Sequence, residues 1–184
     1  MNVERLILMT FDKIIYVSDI ISIISLFLAV VGGVFACIQW KESVRNKRAD
    51  YINDLTEKIR TDEDIREIIY LLEYDEFVYD ETFHGSGELE RKIDKTLSHF
   101  SYICYLKKTK QIRKVEFSFF KYEIERIISN TQIEEYLFNL YHFANKTSTP
   151  ITFKYLFEYG KKHKLFNKEF FNPTSEKYIH CLNF

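Results

Sequence analysis

The fold of this chain follows from one stretch of sequence, residues 20–38, which reads IISIISLFLAVVGGVFACI. Only Ser22 and Ser25 interrupt its apolar run, and a helix of about 20 apolar residues crosses a bilayer core of about 30 Å. A cleaved signal peptide has a shorter apolar core with small residues at its cleavage site. Trp40 follows here instead, as an interfacial anchor does. The stretch therefore predicts a retained transmembrane helix over residues 14–40.

Small and polar side chains recur along one face of this predicted helix. Steps of three and four residues keep to one helical face. The positions in this rhythm are Ser18, Ser22, Ser25, Ala29, Gly32, Ala36 and Gln39. Gly, Ala and Ser permit the close backbone approach through which helices associate in lipid. The pattern favours a homo-oligomer whose helices pack along this face or line a pore with it. The alternative is a plain signal anchor in which the spacing is accidental.

Asp19 stands at the outer end of the apolar run. An ionisable group near the membrane usually faces a bundle interior or water. In a ring of identical helices, Asp19 would place carboxylates at the outer mouth, and such rings favour cations. The other interpretation is a side chain at headgroup depth that marks the membrane boundary.

Basic residues on the two sides of the span predict its orientation. Two precede it and four follow it: Arg5 and Lys13, then Lys41, Arg45, Lys47 and Arg48. Because basic residues concentrate on the cytoplasmic side, we expect a single-pass inner-membrane protein with its N-terminus outside and residues 41–184 in the cytoplasm. Residues 1–13 mix charged and apolar side chains, which fits a short amphipathic segment at the outer surface or a frayed start of the span.

The remainder of the chain has the composition of a helical domain. The chain contains 17 Phe and 13 Tyr but only 5 Gly and 2 Pro, and Gly and Pro are the residues that break helices. We therefore predict an all-α fold in which the transmembrane helix continues into a cytosolic multi-helix bundle. From residue 41 onward, basic and acidic residues balance at 24 each, which argues against a general nucleic-acid binder.

Three cysteines far apart in the sequence argue against a disulfide framework and for a reducing compartment. No CxxC or HxxxH spacing is present, so we expect no zinc site and no cofactor.

Local signals predict where the domain helices begin. Thr61 is the expected N-cap of the helix that follows the membrane-proximal segment. Residues 80–87 form the main predicted loop. Thr131 with Glu134 has the capping-box spacing, and Thr149 followed by Pro150 predicts the start of the last helix.

The sequence contains one candidate binding stretch and no recognisable catalytic motif. Its densest basic stretch comprises Lys107, Lys108, Lys110, Arg113 and Lys114. It suits contact with RNA phosphates or anionic lipid, or a solvated loop with favourable charge at a helix C-terminus. No histidine belongs to a recognisable nucleophile motif, so we predict no catalytic residue.

One architecture combines these features: an N-terminal span ending in Trp40, a basic turn with Arg45 and Arg48, and a Tyr-, Phe- and Lys-rich helical domain. It resembles the small membrane accessory proteins encoded beside the type VI-B RNA-guided RNA nuclease of CRISPR systems. It is also similar to a wider set of small bacterial membrane-anchored helical proteins. The first resemblance implies a divergent HEPN-like domain and an oligomeric membrane pore that strengthens antiviral defence together with that nuclease.

The chain departs from the pattern of HEPN nucleases, in which four to six residues separate an Arg from a His. The nearest pair is Arg91 and His99, with seven residues between them, and such positions lie about 80° apart around a helix. We therefore expect a non-enzymatic, homo-oligomeric pore that permeabilises or depolarises the membrane. Two alternatives stay open, a membrane-tethered HEPN-like ribonuclease and a membrane-anchored adaptor that recruits a cytosolic partner.

Overall fold

The computed structural model describes residues 3–80, 83–85 and 87–182, with side chains from Tyr16 onward. Over these residues the chain forms six α-helices, one 3₁₀ turn and no strand, which confirms the predicted all-α fold. The helices are α1 (Val3–Thr61), α2 (Glu63–Glu73), α3 (Glu88–Lys108), α4 (Lys114–Ser129), α5 (Thr131–Thr147) and α6 (Lys154–His163), and the 3₁₀ turn is Ile179–Cys181.

α1 contains the predicted span and continues past it to Thr61. No proline interrupts this sequence, and the predicted continuity of the helix beyond the span is confirmed. By length and composition, Tyr16–Thr61 could cross a membrane, and none of its most apolar window is buried. From Val3 to Lys13 the chain belongs to α1 and does not form a helix of its own. The structure describes no side chains before Tyr16, so the amphipathic character predicted for residues 1–13 stays a prediction.

The contacts divide the chain into two units, Met1–Asp50 and Tyr51–Phe184. In the second unit, packing begins at Ile52 and Leu55, which are buried in its core. The predicted boundary after residue 40 was placed at the end of the apolar run, whereas the structural division marks where side chains first pack against other helices.

α3 organises the second unit because it contacts α2, α4 and α6. Its apolar face is fully buried at Ile93, Phe100 and Ile103. α5 contacts α4 and the 3₁₀ turn. Aromatic rings from the C-terminal segment complete the core, where Phe138 of α5 stacks on Tyr178 with ring centroids 4.8 Å apart. The aromatic-rich core expected from the composition is present.

Two predicted helix starts are one residue early or late. Asp62, not Thr61, is the N-cap of α2, and its carboxylate accepts a hydrogen bond from the Ile65 N–H at 3.3 Å. Thr61 ends α1 and donates its hydroxyl to the Glu57 carbonyl. Asn130 likewise replaces Thr131 as the N-cap of α5. Aspartate and asparagine cap helices at least as well as threonine, so the adjacent, better cap is used in each case.

The predicted start of the last helix at Thr149–Pro150 is wrong. α6 begins at Lys154, after Phe153 adopts a left-handed backbone conformation with φ of 55°. Phe153 is buried, so placing its ring in the core favours this otherwise costly conformation.

Candidate functional site

The small-residue face of α1 consists of Ser18, Ser22, Ser25, Ala29, Gly32, Ala36 and Gln39. All seven residues and Asp19 are exposed. A Cβ added at Gly32 would meet nothing within 4 Å. A single copy of the chain therefore leaves this face uncovered.

The remaining surface of α1 in this region is apolar and also exposed. Ile21, Ile24, Leu28 and Phe35 are 59%, 53%, 63% and 61% exposed, respectively. Water-soluble monomers rarely expose contiguous apolar patches of this kind. Lipid chains suit the bulky face, and close helix contact suits the small-residue face.

The predicted basic stretch forms part of a concave site in the second unit. α3 ends with Lys107 and Lys108, a short turn carries Lys110, and α4 begins after its N-cap Arg113. α6 supplies the opposite side. We call the resulting cavity of ≈ 630 Å³ the basic pocket. Its lining comprises Cys104, Lys107, Lys108, Lys110, Ile112, Arg113, Lys114, Tyr155, Glu158, Tyr159, Lys162 and His163.

The turn between α3 and α4 positions the basic residues. Lys110 adopts a left-handed conformation with φ of 60°, and the Gln111 N–H donates to the Leu106 carbonyl at 2.9 Å. Ile112 is buried and anchors the turn to the core. The Glu116 carboxylate accepts a hydrogen bond from the Arg113 backbone N–H at 2.6 Å, which fixes the start of α4.

Lys107 is the basic residue that lies deepest in the pocket. Its Nζ lies 3.8 Å from the centroid of the Phe117 ring and 4.6 Å from that of Tyr159. Burial lowers the pKa of this ammonium group. Such contacts with ring faces partly compensate the lost hydration of a cation.

Lys108 and Glu158 form the ion pair at the pocket rim, with Nζ 2.6 Å from Oε2. This hydrogen bond raises the pKa of Lys108. Tyr159 donates its hydroxyl to Glu125 at 3.1 Å, and its ring lies 4.2 Å from that of His163. Burial, with a further effect from the charge of Lys107, lowers the pKa of His163.

Sequence analysis did not identify Lys162, Tyr155 and Tyr159 as part of this site. They lie on α6, far along the chain from the basic stretch. Their spacing has a helical rhythm, but only the packing of α6 against α3 brings them to the pocket.

A second cluster combines Glu135, His180 and Cys181, whose potential metal-ligating atoms all lie within 4.8 Å of one another. His180 Nε2 lies 3.3 Å from Cys181 Sγ and 4.0 Å from Glu135 Oε1. Ligands bound at about 2.0–2.3 Å to one tetrahedral zinc ion lie roughly 3.3–3.8 Å apart. The cluster thus offers three ligand types at nearly suitable separations, although the sequence has no zinc motif.

Burial acts on two members of this cluster. It raises the pKa of Glu135 above its ordinary range and that of Cys181 to about 12. A neighbouring hydrogen-bond network orders His84, whose Nε2 lies 2.7 Å from the Tyr79 hydroxyl and whose Nδ1 lies 3.3 Å from Glu90. Tyr79, His84 and the cluster line a common cavity of ≈ 500 Å³.

The Arg91 and His99 pair does not form a shared site on α3. Arg91 is exposed, whereas His99 is buried. Burial is the main cause that lowers the pKa of His99 to about 4. A buried, neutral imidazole is poorly placed to contact a nucleic acid, so the structure offers no support for the ribonuclease alternative at these positions.

Comparison with known protein families, with curated proteins and with solved structures gave no match.

Proposed function

We propose that this protein is a non-enzymatic, homo-oligomeric pore of the inner membrane. The proposal depends mainly on the uncovered surface of α1. One side of this helix exposes bulky apolar residues, and the other side exposes the small-residue face. Lipid would cover the first side, and further copies of α1 would cover the second.

One helix cannot enclose a channel, so the proposal requires a ring. Identical contacts that repeat around a closing rotation produce such a ring. The small-residue face keeps a seven-residue repeat over three repeats, from Ser18 to Gln39. A seven-residue repeat drifts by about 20° per repeat on a straight helix, so copies packed along it would wind around each other with a left-handed supercoil. Asp19 would then form a carboxylate ring at the outer mouth.

The biological setting of the proposal comes from the resemblance to CRISPR accessory proteins. In that setting the pore would permeabilise or depolarise the membrane when an RNA-guided RNA nuclease detects viral RNA. The basic residues after Trp40 support an orientation with the second unit in the cytoplasm.

Leucine substitutions on α1 test the packing face. Gly32→Leu and Ala29→Leu should prevent assembly and abolish leakage of dye from vesicles. A Cβ at Gly32 has no neighbour within 4 Å in its own chain, so a loss of assembly in Gly32→Leu would indicate contacts between copies. Each 1.4 kcal/mol lost per contact lowers an association constant about tenfold.

Val34→Leu is the matched control. It places the same side chain at nearly the same depth but about 200° around the helix from residue 32. The readout is the protein mass of the detergent-solubilised particle, expected as a large discrete multiple of 22.2 kDa. A monomer or dimer for the unmodified chain, or equal particle mass in all variants, would refute the pore. Function retained after replacing residues 20–38 by a foreign transmembrane helix would support the adaptor alternative instead.

A further inference from the structure

We propose that the basic pocket between α3, α4 and α6 binds a nucleotide, with its phosphates on the lysines and arginine and its base against Tyr155. This inference concerns the second unit alone and does not depend on pore formation.

Charge is the first argument. Six basic residues and one acidic residue line the pocket, although the whole chain has a net charge of −1. Five of the six belong to the basic stretch between Lys107 and Lys114, and Lys162 on α6 adds a cation from the opposite side of the cavity. A concave surface with one sign of charge concentrates ligands of the opposite sign.

The second argument is that most of these basic side chains are not paired with a carboxylate in the part of the chain that the structure describes. Glu158 pairs with Lys108. Within the described residues, the other basic side chains of the pocket form no ion pair: Lys107, Lys110, Arg113, Lys114 and Lys162. Lysine and arginine bind phosphate oxygens through charge-assisted hydrogen bonds. The pocket therefore presents several cations for a polyphosphate, and Lys107 lies at its inner end over the Phe117 and Tyr159 rings.

The aromatic lining distinguishes a nucleotide from a simple polyanion. Tyr155, which is half-buried, lines the same cavity as the cations. Tyr159 also lines the cavity but is only 6% exposed, with Lys107 Nζ and the His163 ring against it. Bases stack on aromatic rings in proteins that bind single-stranded nucleic acids. An aromatic ring beside the cations gives a base a stacking surface that inorganic phosphate does not use.

Size and shape favour a small ligand over a polymer. The cavity of ≈ 630 Å³ falls within the range of about 300–1,000 Å³ typical of small-molecule sites. The second unit as a whole lacks the excess of basic residues typical of nucleic-acid-binding domains.

The test measures binding to the full-length chain in nanodiscs by isothermal titration calorimetry. ATP and GTP are the nucleotide probes, tripolyphosphate is the probe without a base, and inositol trisphosphate represents a lipid headgroup. We expect at least one nucleotide to bind at least about tenfold more tightly than tripolyphosphate or inositol trisphosphate, as 1.4 kcal/mol of added stacking would give.

Paired substitutions on α6 locate the site. Lys162→Gln removes a pocket cation and should weaken nucleotide binding about tenfold, the equivalent of one charge-assisted hydrogen bond. Lys161→Gln is the matched control because Lys161 lies outside the pocket, over the Phe171 ring. Tyr155→Leu should weaken nucleotide binding but leave tripolyphosphate binding unchanged.

Three results would overturn the proposal. The first is no binding of either nucleotide at millimolar concentration. The second is equal binding of tripolyphosphate and nucleotide, which would indicate a general anion patch, or tighter binding of inositol trisphosphate, which would indicate a lipid site. The third is tighter binding of a single-stranded RNA than of any nucleotide, with equal effects of Lys161→Gln and Lys162→Gln.

Discussion

Burial of His99 makes the stability of the second unit dependent on pH. The side chain is 7% exposed, and its Nε2 has no hydrogen-bond partner among the described residues. Burial is the main cause that lowers its pKa from 6.5 to about 4, and the charge of Lys58 adds to the effect. The native state therefore holds this imidazole neutral under conditions in which the unfolded chain binds a proton.

The sign and size of the effect follow from this difference. Stability is fully present above pH 6.5 and is lost as the pH falls toward 4, because only the unfolded chain gains a proton in that range. One pKa unit corresponds to 1.36 kcal/mol. Lowering the pH from about 7.5 to about 5 should therefore cost about 2 kcal/mol through His99 alone.

The assay is urea unfolding of the full chain in detergent micelles, followed by near-ultraviolet circular dichroism of the tyrosines. Trp40 lies on α1 outside the second unit, so its fluorescence would report on α1 instead. His99→Leu should reduce the loss of unfolding free energy between the two pH values by about 2 kcal/mol. His163→Gln, at an exposed position, is the control and should change it much less. The same pH dependence in the unmodified chain and in His99→Leu would refute the reasoning.

Two further substitutions test packing and capping by the same unfolding measurement. Gly160→Ala would bring a Cβ against Cε2 of the Phe166 ring and within 2.8 Å of its Cζ. We expect a net loss of about 1–2 kcal/mol, since overpacking outweighs the gain in helix propensity; an unchanged midpoint would show that the ring moves freely. Asn130→Ala removes the side chain that accepts hydrogen bonds from the Gln132 and Ile133 N–H groups and should cost about 1 kcal/mol. Asn130→Asp, which keeps the acceptor, should lose much less, and equal losses in both variants would exclude capping as the cause.

Helix starts show the limit of local reasoning. Threonine at 61 and 131 is a good cap, but aspartate at 62 and asparagine at 130 are the caps that form. Glu134, the expected partner in a capping box, instead accepts a hydrogen bond from the Asn167 N–H at 2.7 Å. This donor belongs to the C-terminal segment, and no pattern in the sequence around Glu134 predicts the contact. A helix start predicted from sequence is therefore one residue off where two neighbouring residues can both serve as the N-cap. A capping box is lost where a distant chain segment offers the glutamate another hydrogen-bond donor.

The helical fold and the long apolar helix follow directly from the amino-acid sequence. Both depend on properties that neighbouring residues share, namely helical periodicity, few Gly and Pro residues, and a long apolar run. The basic stretch was equally visible because its members lie close together in the sequence.

The residues that lie opposite those charges depend on how the helices pack. Packing of α6 against α3 places Tyr155, Tyr159 and Lys162 opposite the basic stretch. The same holds for Glu135 with His180 and Cys181, which meet only because the C-terminal turn packs on α5. Such groupings depend on buried contacts between residues that are distant in sequence, and local sequence patterns do not predict these contacts.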